Sequence, residues 1–267
     1  MLSSKSSSTS GPSGSDQPLT TTPSKDADAV GLSVVMIIPA FDEEGAIGSV
    51  VRGFRSATTP AGRPHLTELV VVDNNSRDAT AQRARDAGAT VVHEPRPGYG
   101  SACLRGLSYL AGERAGGPPD VVVFADGDGS NDPADLPAVL APVLSGECQM
   151  VIGARPRRAD PRSLTIPQRF GNVLACRLMN ALFATRYTDL GPYRAITWSA
   201  LTEIDMQDPD YGWTVEMQLK AAKQRLAIRE VDVANHGRIA GKSKVSGTVK
   251  GVYGAGTKII GTILRYR

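Results

Sequence analysis

Short runs of β-branched and other apolar residues alternate along the chain with segments of helical periodicity. Because these runs are apolar at consecutive positions, they predict strands buried on both faces, as in a parallel sheet covered by helices. Helices of roughly 10 to 15 residues are predicted between them, which predicts an α/β fold with a Rossmann-like, doubly wound, mostly parallel sheet. The predicted strands are residues 32–38, 68–72, 90–93, 121–125 and 150–153.

The two ends of the chain differ in composition from the part between them. Residues 1–29 are rich in Ser, Thr, Pro and Gly and contain almost no large apolar residue, so we predict a disordered tail there. Residues 30–245 carry the alternating pattern and are predicted to form one domain. In residues 246–267, apolar positions recur at helical spacing among basic residues, which predicts an amphipathic helix. This helix can pack on the domain or lie on an anionic membrane, and we expect some of each.

Charge and cysteine content exclude several classes of protein. Thirty Lys and Arg residues against 27 Asp and Glu residues give a formal net charge of +3, too small a surplus to predict nucleic-acid binding. The three cysteines form no CxxC pair, so neither a zinc cage nor a disulfide framework is predicted, and we expect buried thiols. The sequence has no run of about 20 apolar residues and no signal-peptide core, which predicts a cytoplasmic protein. Oligomeric state stays open.

Acidic residues follow three of the predicted strands. The first strand runs into residues 39–44, which include Glu43; the second ends at Asp73; and the fourth runs into residues 126–130. The carboxyl ends of parallel strands meet at one edge of a sheet, where ligands of such folds bind. Three acidic strand ends at one edge therefore predict a binding site.

Asp126 and Asp128 flank Gly127 directly after the fourth strand. Taken alone, Asp-Gly-Asp-Gly is a common turn sequence. Its position after a buried strand, near Asp73 on another strand, favours a loop that presents carboxylate oxygens to Mg²⁺ or Mn²⁺. Such a cation takes one or two protein carboxylates and completes its shell with phosphate oxygens and water.

Four motifs together resemble family 2 glycosyltransferases of the GT-A fold, most closely the dolichyl-phosphate mannose synthase and polyprenyl-phosphate glycosyltransferase branch. They are Pro-Ala-Phe-Asp-Glu-Glu at 39–44, Val-Val-Asp-Asn-Asn-Ser at 71–76, Asp-Gly-Asp at 126–128 and Gly-Ala-Arg at 153–155. The resemblance implies a nucleotide-sugar donor and a divalent metal. It implies metal contacts for Asp126, Asp128 and Ser130, and donor contacts for Pro39, Phe41, Glu43, Val71, Asp73, Ala125, Asp126 and Gly127.

Basic residues of the second half extend the resemblance. Arg238 precedes Gly241-Lys242-Ser243-Lys244, which is similar to an Arg…Gly-x-Ser-Lys loop of the mannose synthases. In that family the loop closes over the donor diphosphate, which implies donor contacts for Arg238 and Lys244. Arg155 and Arg169 resemble the two arginines of a clamp for an acceptor phosphate.

Asp189 is the best candidate for a general base, and Glu216 is the second. Both have structural alternatives, in which Asp189 pairs with Arg194 and Glu216 holds the loop before Trp213. The acceptor decides between these alternatives, because a hydroxyl must lose a proton as it attacks, whereas a phosphate monoester is already a dianion at neutral pH.

We therefore expect an inverting, metal-dependent transfer of a hexose from a GDP-mannose- or UDP-glucose-type donor to a polyprenyl or dolichyl phosphate. The catalytic residues of this hypothesis are Asp128, Arg155, Arg169 and Asp189. The acceptor would bring the enzyme to the inner face of the membrane as a peripheral protein. Two alternatives remain open: transfer to a hydroxyl with Asp189 as base, and a catalytically silent nucleotide-binding module.

Overall fold

The computed structural model describes residues 31–59, 61–63, 65–161, 163–241 and 249–266. The tail predicted at residues 1–29 lies outside these ranges, as do Lys244 and residues 246–248. The division of the chain at residues 29 and 245 therefore stays a prediction.

A single seven-stranded sheet organises the fold. Its strands are β1 (Val34–Ala40), β2 (Glu68–Asp73), β3 (Thr90–His93), β4 (Val121–Phe124), β5 (Met150–Ala159), β6 (Arg194–Thr197) and β7 (Ile228–Asn235). They lie in the order β3-β2-β1-β4-β6-β5-β7, and all neighbouring strands are parallel except β6, which is antiparallel to both β4 and β5. The five predicted strands and the mostly parallel α/β architecture are confirmed.

The sequence interpretation missed β6 and β7. β6 has only four residues and begins with Arg194, so it lacks the apolar run expected of a buried strand. β7 is an edge strand that pairs with β5, and its first residues mix charged and apolar side chains. Both strands matter for the site, because β6 separates β4 from β5 and β7 leads the chain back towards the carboxyl end of β4.

Helices cover both faces of the sheet, which gives two hydrophobic cores. The helices are α1 (Ile47–Ser56), α2 (Thr80–Asp86), α3 (Tyr99–Gly112), α4 (Leu136–Leu144), α5 (Ile166–Phe183), α6 (Trp198–Ile204), α7 (Trp213–Lys223) and α8 (Val249–Arg265). One core packs α1, α2 and α4 against the sheet. The other packs α3 and α5 to α8, and it contains the buried Trp213. Cys103, Cys148 and Cys176 are free and buried, as expected.

The carboxyl-terminal helix α8 packs against α5 and α7. Ile263 is fully buried in the core, and the Tyr266 hydroxyl donates to Glu216 Oε1 at 2.8 Å. Lys258 Nζ lies 3.1 Å from the Asp208 carboxylate. The last part of the helix is thus docked on the domain, in agreement with one of the two expectations. None of the helices in the described ranges has the length and apolar character needed to span a bilayer.

Candidate active site

A cavity of about 650 Å³ opens at the carboxyl ends of β1, β2 and β4. We call it the first cavity. It brings together seven of the predicted donor and metal residues, although they come from distant parts of the sequence. These are Pro39, Phe41, Glu43, Asp126, Gly127, Asp128 and Arg238.

The loop after β4 holds its two aspartates through the backbone. The Asp126 N–H donates to Asn131 Oδ1 at 2.8 Å, and the Ser130 N–H donates to Asp128 Oδ1 at 2.9 Å. Ser130 thus orients a carboxylate through its main chain, while its predicted contact with a metal stays a prediction.

Two carboxyl groups share this loop, and their closeness affects the pKa of Asp126. Burial and the nearby Asp128 carboxylate raise the pKa of Asp126 to about 7, against opposing effects of Arg155, Arg238 and a hydrogen bond from Tyr99. A carboxyl group with this pKa is half-protonated at neutral pH. A divalent cation between the two groups would remove the repulsion, because it favours the charged form of both.

Arg238 bridges two acids of the first cavity. Its guanidinium donates to Asp128 Oδ2 at 2.6 Å and also pairs with Glu43 Oε1. The segment that follows β7 is fastened beside the aspartate loop, since the His236 N–H donates to Ser130 O at 2.9 Å and the Ile239 N–H to Asp128 O at 3.0 Å. Arg238 therefore lines the first cavity beside the aspartate loop, while its predicted contact with a donor stays a prediction.

Asn74 is a site residue that the sequence interpretation overlooked. Its Nδ2 donates to Glu94 O at 3.1 Å and to Arg96 O at 2.6 Å, while its Oδ1 accepts from the Gly98 N–H at 2.9 Å. The side chain thus fixes the loop between β3 and α3 against the end of β2. Its place directly after Asp73, at a strand end, was the available signal.

Two glycines at the start of α3 allow a close contact between backbone segments. Gly98 directly precedes the helix, and Gly100 lies in its first turn. A Cβ on Gly98 would lie 2.3 Å from Pro209 O, and one on Gly100 would lie 1.9 Å from Asp208 O. Glycine is required here because the backbone packs against the segment before α7. Gly98 also has a φ of +135°.

Three predicted donor residues lie beside or beneath the first cavity and do not line it. Val71 and Ala125 are buried in the core at the ends of β2 and β4. The Asp73 carboxylate accepts from the Ser76 N–H at 3.3 Å and lies 3.4 Å from His93 Nδ1. Contacts of these residues with a donor stay predictions.

A second cavity of about 680 Å³ meets the first at Gln168, which lines both. Arg155, Arg169 and Asp189 line it, so the structure brings the proposed acceptor residues together. Much of its remaining wall is apolar: Pro156, Ala159, Pro161, Leu164, Pro167, Val173, Leu190 and Ile259.

Asp189 is almost fully buried and binds Arg155, which corrects the alternative in which it pairs with Arg194. Arg155 Nε donates to Asp189 Oδ2 at 2.7 Å and Nη2 donates to Oδ1 at 2.8 Å, while the Arg155 backbone N–H donates to Oδ2 at 2.8 Å. Arg194 instead donates to Gly191 O, Thr214 O and Gln218 Oε1. Burial lowers the pKa of Arg194 to about 10.

The other two charged residues of the acceptor hypothesis differ in exposure. Arg169 is exposed on α5, and its Nη2 donates to Pro161 O at 2.8 Å. Glu216 is buried and accepts from the N–H groups of Gln207 and Asp208, at 3.1 and 2.7 Å. The structural interpretation of Glu216, as the residue that holds the loop before Trp213, is confirmed.

Comparison with known proteins identifies the class of this fold and site. The family model for glycosyl transferase family 2 matches residues 35–202, and the chain belongs to this family. An uncharacterized glycosyltransferase of Mycobacterium tuberculosis is 36% identical over 223 residues, which cover 83% of this chain and 93% of that protein. The protein is thus a glycosyltransferase with the GT-A fold.

Two named relatives differ in the acceptor that their names imply. Glucosyl-3-phosphoglycerate synthase from Mycobacterium tuberculosis, crystallised with Mn²⁺, UDP and glucosyl-3-phosphoglycerate, superposes with a TM-score of 0.68 at 26% identity, covering 88% of this chain and 80% of that one. The same synthase has been crystallised with Mg²⁺ and UDP. Dodecaprenyl-phosphate galacturonate synthase of Rhizobium johnstonii is 27% identical over 221 residues, which cover 80% of this chain and 62% of that protein.

Proposed function

We propose that the protein is an inverting hexosyltransferase that uses a nucleoside diphosphate sugar, with Mg²⁺ or Mn²⁺, and transfers the hexose to a polyprenyl phosphate. The observation that carries this proposal is the second cavity, which joins the first at Gln168 and combines two arginines with a largely apolar wall. The charged end suits a phosphate and the apolar wall suits an isoprenoid chain.

The first cavity fits the donor and its metal. No group of three or more His, Cys, Asp or Glu side chains in the described ranges could hold a cation by itself. Asp126 and Asp128 fit a metal that takes its other ligands from a diphosphate and water. That cation would neutralise charge on the leaving diphosphate. UDP in the similar synthase structures supports a uridine donor, and GDP-mannose is the other donor type we consider.

The acceptor chemistry accounts for the state of Asp189. Both of its carboxylate oxygens accept hydrogen bonds from Arg155, so the group is engaged as a counter-ion. A phosphate monoester is already a nucleophile at neutral pH and needs no base. In this proposal Asp189 positions Arg155, while Arg155 and Arg169 bind the acceptor phosphate. Attack on the face of the sugar opposite the diphosphate then inverts the anomeric centre.

Steady-state kinetics with a short-chain, water-soluble polyprenyl phosphate test the proposal. Arg169→Ala should raise the acceptor KM about tenfold or more and leave the donor KM nearly unchanged, because one charge-assisted contact is lost. Arg157→Ala is the matched control, since this exposed arginine pairs with Asp232 and lines neither cavity. No transfer to any polyprenyl phosphate by the wild-type protein would overturn the proposal.

Transfer to a hydroxyl is the second candidate, and the similarity to glucosyl-3-phosphoglycerate synthase favours it. The same two arginines could bind the phosphate of a small phosphorylated acceptor such as phosphoglycerate. Steady-state kinetics with both acceptors separate the two candidates. An enzyme that transfers to a hydroxyl would turn over phosphoglycerate and would not turn over the polyprenyl phosphate.

A further inference from the structure

The amino-terminal half of α5 turns apolar side chains towards solvent. Ile166, Phe170 and Leu174 follow one another at intervals of four residues and are 83%, 68% and 45% exposed. We call these three residues the α5 stripe. Side chains four apart lie on one face of a helix, so they form a continuous surface.

The opposite face of the same helix is also apolar. Ala175, Cys176 and Met179 are buried in the core, and at 100° per residue they lie across the helix from Phe170. A surface helix normally carries polar residues on its outer face, whereas a helix that is apolar on both faces needs two partners. Among the residues that the structure describes, the domain supplies one of these partners.

A capping box fixes the amino terminus of α5. Thr165 and Gln168 form a capping box, in which the Gln168 N–H donates to Thr165 Oγ1 and the Thr165 N–H donates to Gln168 Oε1. This reciprocal pair satisfies backbone donors at the first turn. The stripe is therefore presented on a defined helical turn beside the second cavity, which Gln168 and Arg169 line.

Positive charge accompanies the stripe. Helix α5 contains Arg169 and Arg177 and no acidic residue. Between residues 155 and 186 the sequence has seven Arg and one Asp, a net charge of +6, whereas the whole chain carries +3, so the remainder carries −3. Three of these arginines have acidic partners, and the exposed Arg169, Arg177 and Arg186 lie on or just after α5.

We propose that the α5 stripe, with its flanking arginines, docks on an anionic lipid bilayer and so opens the second cavity towards the lipid. This inference rests on the proposed polyprenyl-phosphate acceptor, whose chain lies in a bilayer. Apolar side chains enter the boundary between headgroups and acyl chains, while arginines meet the anionic headgroups. A second copy of this chain is a poorer occupant, because two such faces would bring like charges together.

Vesicle co-sedimentation of the full chain tests this surface. The wild-type protein should bind vesicles of phosphatidylcholine with phosphatidylglycerol more strongly than phosphatidylcholine alone, and salt should weaken binding. The double variant Ile166→Ser, Phe170→Ser should lower the partition coefficient at least about tenfold. Leu32→Ser is the matched control, because Leu32 is 42% exposed before the amino end of β1, away from both cavities.

Three results would overturn the proposal. They are a wild-type protein that does not bind anionic vesicles at low salt, equal losses of vesicle binding in the double variant and the control, or a dimer in sedimentation equilibrium that the double variant abolishes.

Turnover of a water-soluble acceptor is measured in parallel. Ile166 and Phe170 line neither cavity, so the double variant should keep this turnover. Wild-type turnover without vesicle binding defeats the docking surface alone, whereas vesicle binding without any turnover of polyprenyl phosphate defeats the proposed function alone.

Discussion

At the scale of single residues, the acidic pair after β4 was predictable because a local pattern defined it. Asp126 and Asp128 follow a buried strand, and parallel strand ends share one edge of the sheet. The partners of these residues were not predictable. Tyr99 and Arg238 reach the loop from other elements, and both oppose the effect of burial on the pKa of Asp126. Asn131 binds the Asp126 N–H from within the same loop.

The pKa of Asp126 predicts how metal binding depends on pH. The carboxyl group must lose its proton to bind Mn²⁺, and its pKa is about 7 without the metal. Mn²⁺ affinity should therefore rise up to about tenfold per unit as pH increases from 5.5 to 7 and level off above that range. Calorimetric titration with Mn²⁺ in the presence of UDP, repeated across this pH range, measures the affinity.

Asp128→Asn serves as the control for that titration, because it removes the neighbouring charge that helps to raise the pKa of Asp126. The rise of Mn²⁺ affinity with pH should then occur at lower pH than in the wild-type protein.

The free energy of unfolding gives an independent check on the raised pKa of Asp126. The folded form binds a proton between pH 4 and 7 that the unfolded form has lost, so Asp126 contributes less stability as pH rises. Asp126→Asn should stabilise the metal-free protein more at pH 8 than at pH 5, and equal effects would contradict the raised pKa.

Asp189→Asn distinguishes a counter-ion from a general base. The substitution leaves the guanidinium of Arg155 largely buried without its charge partner, which should lower the free energy of unfolding by about 3 to 5 kcal/mol. Asp232→Asn breaks the exposed pair with Arg157 and should cost less than about 1 kcal/mol. Denaturant unfolding measures both variants. A fully stable Asp189→Asn protein with a loss of kcat of more than about 100-fold would instead identify a base.

At the scale of elements, prediction succeeded where one strand or helix carries its own pattern. β1 to β5 have such patterns, whereas β6 is too short and β7 is half-exposed at the sheet edge. The carboxyl-terminal helix was predicted from its periodicity, but periodicity cannot tell which surface covers an apolar stripe. The structure places Ile263 in the core and leaves Leu264 mostly exposed. The outer stripe of α5 escaped notice for the same reason.

Ile263 and Leu264 form a matched pair that tests the docking of α8. Ile263→Ala should lower the free energy of unfolding by about 2 to 4 kcal/mol, because it opens a cavity in a packed core. Leu264→Ala should change it by less than about 1 kcal/mol, since that side chain is 54% exposed. Chemical denaturation of both variants measures the difference. Similar small effects would mean that α8 is not packed on the domain in solution.

At the scale of the whole molecule, the site depends on contacts between distant parts of the chain. Arg238 lies 110 residues from Asp128 and 195 residues from Glu43 along the sequence. These contacts arise because β7 adds beside β5 and returns the chain to the loop after β4, as the bridge between Asn131 and Asn235 shows. Local patterns contain no information on such closure. A family resemblance pointed to the arginine, and only the fold identified its two acidic partners.

Arg238→Ala should alter metal and nucleotide binding in opposite directions. In the metal-free protein the guanidinium pairs with the Asp128 carboxylate, which would also hold the metal, so its removal should strengthen Mn²⁺ binding roughly tenfold. The Arg238 guanidinium would face the diphosphate once the metal is bound. Its removal should therefore weaken UDP binding in saturating Mn²⁺ roughly tenfold. Calorimetry measures both affinities, with Arg157→Ala as a control that changes neither. If both affinities fall together, Arg238 assists the metal and does not compete with it.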